Sequence, residues 1–83
     1  LINKVDPVVS FDAELSGLAN RLAKGPTHAY AKTKRLLLDS STTQISDQLT
    51  AETNSFVNCA MSNDFRKGVT AFVEKQKPDF TGD

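Results

Sequence analysis

The chain has 83 residues, ten basic against ten acidic, and a single cysteine, Cys59. That length allows one domain at most, and electrical neutrality excludes the broad positive field of a dedicated nucleic-acid binder or a polybasic membrane anchor. One cysteine leaves no intrachain disulfide and no thiolate metal cluster, which fits a reducing cytoplasm, and no apolar run or signal peptide marks a membrane protein.

The chain opens Leu1-Ile2-Asn3 and its one methionine is Met61, so a piece of a larger protein is the simpler expectation. LINKV (Leu1 to Val5) alternates like a short strand, which Pro7 stops early. Nothing else has strand periodicity, and a lone strand is not a stable element, so its partner is expected outside this chain. Residues 1–9 therefore read as an extended segment and 10–83 as a helical domain.

Ser10 reads as the cap of a first helix, with Asp12 and Glu14 favouring its positive first turn. Phe11, Leu15, Leu18, Ala19 and Leu22 recur at helical spacing until Lys24-Gly25-Pro26 ends the run. Thr27 reads as the cap of a second helix to about Leu38, with Tyr30, Thr33, Lys34 and Leu37 on one side. DSSTT (Asp39 to Thr43) is a turn-and-cap cluster. A third, longer helix carries Ile45, Leu49, Phe56 and Ala60 as its expected buried stripe. Ser62-Asn63-Asp64 breaks it and caps a fourth, whose stripe is Phe65, Val69, Phe72 and Val73, with Pro78 beyond its end. The fold class is all-α: about four short helices joined by short loops, so that sequential helices are neighbours.

Isolated chemistry is sparse. His28 has no second ligand at useful spacing and reads as a surface histidine. Cys59 lacks a histidine or basic residue within one helical turn and reads as a packing residue. The basic cluster Lys32 to Arg35 has no interleaved aromatics and reads as a solvated face. Glu52 alone makes no acid–base pair, and no phosphate loop, metal-ligand pair or nucleophile elbow is present. No catalytic or metal-binding residue is assigned, and the chain alone is not expected to be an enzyme. Phe72 and Lys75 are three residues apart, which on a helix makes them neighbours able to cradle a base and its phosphate. Periodicity alone favours Phe72 as core and Lys75 as solvated.

From Leu15 onward the order of features resembles the C-terminal region of the enoyl-CoA hydratase/isomerase (crotonase) superfamily. LAKGPTHAYAKTKRLL, then QLTAETNSF, then SNDFRKGVTAFVEKQKPDFTGD follow its pattern over roughly the last seventy residues. The closing set Gly68, Ala71-Phe72, Glu74-Lys75, Pro78, Phe80 and Gly82 is its most specific part, and Gln76 departs from the usual arginine.

The resemblance implies that residues 1–9 leave a catalytic core absent here, which would hold the oxyanion hole and the catalytic acids. It implies acyl-CoA thioester chemistry in the parent enzyme, with coenzyme A as part of the substrate rather than a separate cofactor. The helical segment would then serve in oligomerisation (a trimer or dimer of trimers), in covering the active site and in peripheral CoA contact. By position, Phe72 and Lys75 would approach the adenine and phosphates of CoA. Mid-helix Gly68 would permit close approach of another helix. A free-standing helical interaction module, with no CoA link, is the alternative reading.

Overall fold

A computed structural model describes residues 2–83. Four helices follow in order: α1 (Val8–Ala23), α2 (Thr27–Ser40), α3 (Ile45–Ala60) and α4 (Asn63–Val73), and no strand occurs among the described residues. The all-α class holds. Of the segment read as extended, Leu1 lies outside the described residues, and the helix begins at Val8, before Ser10. The reason is Pro7, which is extended (φ −58°, ψ 145°) and, lacking an N–H, takes the last non-helical position at no cost. Ser10 then falls in the first turn, and its hydroxyl donates back to the Pro7 carbonyl at 3.3 Å. Pro26 displaces the expected cap Thr27 in the same way, because Thr27 is already the first residue of α2. Ser62 does cap α4: its Oγ accepts from the Phe65 N–H at 3.1 Å.

Lys4 ties the N-terminal segment to α1, with Nζ 2.7 Å from Glu14 and 3.1 Å from Asp6. Hydrogen bonding to Glu14 first, then to Asp6, raises the ammonium pKa above its ordinary value. Lys4 and Glu14 are solvent-exposed and Asp6 is half-buried, so the tie is weak.

α2 packs on α3 and α3 on α4, and the result is a slab of 45 × 39 × 17 Å. Its thin dimension leaves room for little more than one helix with its side chains, about 10–12 Å across. The radius of gyration is 15.9 Å, where a compact chain of this length has about 12 Å. The accessible surface is 7,055 Å², against about 4,900 Å² for a compact monomer of this mass. Among the described residues only Ala71 and Asp64 are buried.

The stripes expected to be buried are therefore not. Ile45 is 81% exposed and Phe56 68%, and Leu49, Phe65, Val69, Phe72 and Val73 are also open. Periodicity identifies the apolar face of a helix, whereas burial needs a second layer, and a single layer leaves both of its faces bare.

Within this chain, what lies against Gly68 is not a helix. It is the Phe80 ring from the C-terminal tail, whose Cε1 lies 3.5 Å from where a Cβ would stand. That is ordinary contact, so a methyl fits. Gly68→Ala is expected to stabilise the protein by about 0.5–1 kcal/mol in denaturant melts, from helix propensity and backbone entropy. Gly68→Leu overruns the ring and is expected to destabilise. A loss of stability in the alanine variant would show that the ring has no room to give.

Candidate site: an apolar groove and the tail that closes it

α4 ends in a left-handed turn. Glu74 is its cap, and Lys75 follows at φ +55°. The Lys75 N–H donates to the Phe72 carbonyl at 3.2 Å, and the Gln76 N–H reaches back to Ala71 at 2.8 Å. These are the paired bonds of a Schellman motif, with lysine at the position that glycine usually takes. The reversal sends residues 76–83 back along α4 toward its start.

The returning tail meets the first turn of α4 at Asp64. The Thr81 and Gly82 N–H groups donate to the two carboxylate oxygens of Asp64, each at 2.8 Å. The Asp64 N–H in turn donates to the Asp83 carbonyl at 2.8 Å. Lys67 donates to the Thr81 hydroxyl and stands 4.0 Å from the carboxylates of both Asp64 and Asp83. Asp64 is 2% exposed, which its accepted hydrogen bonds make tolerable. Hydrogen bonding from the Thr81 hydroxyl, then from Asn63, lowers the Asp83 pKa below its ordinary value. That contribution is present above the ordinary carboxylate range and fades as the pH falls through the lowered value; solvent exposure of the side chain keeps it small.

Between the tail and the helices lies a groove of about 400 Å³. Phe65, Val69 and Phe72 of α4 form one wall, with Cys59 of α3, Pro26 and the tail's Phe80 around it. Tyr30 extends the apolar surface on the other side of Pro26 and Phe80.

Phe72 stands at this groove and is 85% exposed, so it is not a core residue. Lys75 is exposed but lies outside the groove lining, past the end of α4. The Lys75 side chain leaves from a left-handed turn rather than from the helix itself, while its N–H stays bonded to the Phe72 carbonyl. Among the other residues weighed, His28 Nε2 lies 2.9 Å from Asn58 Oδ1, joining α2 to α3. Arg35 pairs with Asp39 at 2.8 Å, and Glu52 accepts from Gln48. Cys59 is half-buried. No helix among the described residues is long and apolar enough to cross a membrane. Sequence reasoning missed Asp64 and Tyr30 as organising residues and saw Phe80 only as part of a motif. Asp64 carried a local signal for a helix start and none for a partner seventeen residues away.

The enoyl-CoA hydratase/isomerase family profile matches residues 1–83. A probable enoyl-CoA hydratase of Rhodobacter capsulatus is 37% identical over 82 residues, which is 99% of this chain and 32% of that protein. A 1,2-epoxyphenylacetyl-CoA isomerase of Escherichia coli is 35% identical over 65 residues, 78% of this chain and 25% of the relative. A trans-2-decenoyl-[acyl-carrier-protein] isomerase of Streptococcus mutans is 34% identical over 62 residues, 75% of this chain and 24% of that protein. The chain thus spans a third or less of the length of these relatives. With a family match along its whole length and a relative 37% identical over 99% of it, this chain belongs to the enoyl-CoA hydratase/isomerase family.

Proposed function

We propose that the chain is the C-terminal helical segment of an enzyme acting on acyl-CoA thioesters. It covers the active site, takes part in a homo-oligomer (trimer or dimer of trimers) and touches CoA through Phe72 and Lys75. A reducing cytoplasm is the compartment this reading implies. The observation that carries it is the open slab, whose 7,055 Å² surface and bare apolar stripes call for a covering layer. Two of the relatives are named for CoA thioesters and one for an acyl-carrier-protein thioester, so thioester chemistry is common to all three names.

An aromatic that is 85% exposed and a lysine on a solvent-facing turn suit the two ends of a nucleotide: one ring to stack and one phosphate to pair. Both act far from any reacting carbon and hold ground and transition states alike, so their loss belongs in KM. Phe72→Ala and Lys75→Ala in the intact enzyme are expected to raise KM for a CoA thioester up to about fivefold each, with kcat little changed. A pantetheine thioester, which lacks the nucleotide, is expected to show no such rise, and the Lys75 effect is expected to fade with added salt. Equal effects on both substrates would leave Lys75 a surface charge and Phe72 a packing residue.

A further inference from the structure

We infer that residues 80–83 form a strap latched by Asp64, and that this latch positions Phe80 as the closing wall of the apolar groove. The inference rests on the geometry of the tail alone and stands whether or not the groove meets CoA.

Three features carry it. The tail has no regular structure to hold it, and its backbone anchors all converge on one residue. Thr81 and Gly82 donate into the two Asp64 oxygens, and the Asp64 N–H returns to Asp83. A buried carboxylate accepting two backbone N–H bonds is a strong clip when both are made, and a costly group when they are not. The backbone of the strap is therefore clipped at one residue, while Lys67 and Asn63 reach only its side chains.

Second, the latch is continuous with the groove. Phe80 precedes the clipped residues and lies against Gly68 while lining the same cavity as Phe65, Phe72 and Cys59. Releasing Thr81 and Gly82 frees the ring, and the groove opens at its Pro26 end.

Third, the strap fits only one way. Gly82 is left-handed (φ +83°), and a Cβ there would stand 2.6 Å from Thr27 Oγ1 at the start of α2. Glycine is thus required both by conformation and by the close approach. Asp64 on α4 clips this dipeptide, and Thr27 on α2 stands close against Gly82 from another side.

The test uses the intact protein and two independent ways of opening the latch. Asp64→Asn keeps one acceptor and turns an NH₂ toward the other N–H; Gly82→Ala leaves Asp64 in place and evicts the strap from the Thr27 side. In both, the amides of Thr81 and of position 82 are expected to exchange with solvent roughly tenfold faster or more, with the amides of α3 and of α2 beyond its first turn unchanged. Cys59, read by mass spectrometry of its own peptide, is expected to react faster with a bulky thiol reagent. Unprotected Thr81 and Gly82 amides in the unaltered protein would overturn the latch. So would unchanged exchange in both variants, or a loss of protection spread over α2 and α3, which would make Asp64 a general stabiliser of the fold. Faster amide exchange with unchanged Cys59 labelling would overturn the role of Phe80 as the groove's wall.

Discussion

Phe80→Ala is expected to destabilise the protein by about 2 kcal/mol in denaturant unfolding. Truncating a fully buried phenylalanine typically costs 3–5 kcal/mol, and Phe80 is half-buried. In a slab with almost no core this ring takes on much of a core's work. It packs against Gly68 on one side and shares the Pro26 and Tyr30 surface on the other. Phe80→Leu keeps most of that apolar contact and is expected to recover more than half of the loss. The alanine effect is expected to be local, loosening the tail and the start of α2 before α3. A loss below about 0.5 kcal/mol, the range of an ordinary surface substitution, would show that the tail merely lies on the surface.

Gly25→Ala is the second large effect, and its cause is space rather than backbone conformation. A Cβ at Gly25 would stand 2.6 Å from Tyr30 Cε2, well inside van der Waals contact. The Tyr30 ring closes over the turn between α1 and α2, beside Pro26 and Phe80. Tyr30 is 42% exposed and can swing outward, so the added methyl forces the ring away from its packing rather than breaking the backbone. The expected loss is about 1–2 kcal/mol. A double-mutant cycle isolates the cause: in a Tyr30→Ala background the same glycine substitution is expected to cost almost nothing. An undiminished loss there would place the strain in the turn itself.

Helix existence was legible in the sequence because it rests on local chemistry. The apolar spacing in α1, the Lys24-Gly25-Pro26 stop and the Ser62 cap are each decided within a few residues, and all appear where expected. Two expected caps, Ser10 and Thr27, failed for an equally local reason: the proline upstream of each starts the helix first. What covers a face is not local. The α3 stripe was legible as a stripe and misread as buried, because its cover is not supplied by the other helices of this chain. The pairing of Phe72 with Lys75 assumed a continuous helix, and a non-glycine residue in a left-handed turn gives no warning in sequence. Asp64 shows the same limit more sharply. Its type and place suited a helix N-terminus, and the partners that define its role lie seventeen and eighteen residues onward.

The thinness of the slab also governs how it would respond to heat and denaturant. The heat-capacity change and the urea slope of unfolding both scale with the surface newly exposed when a structure melts. Helices that leave Ile45, Phe56 and Phe72 in water when folded expose little more when unfolded. The transition of this segment by itself is therefore broad and weakly curved with temperature. A sharp transition, where one is seen, reports the layer packed against the slab as much as the slab itself.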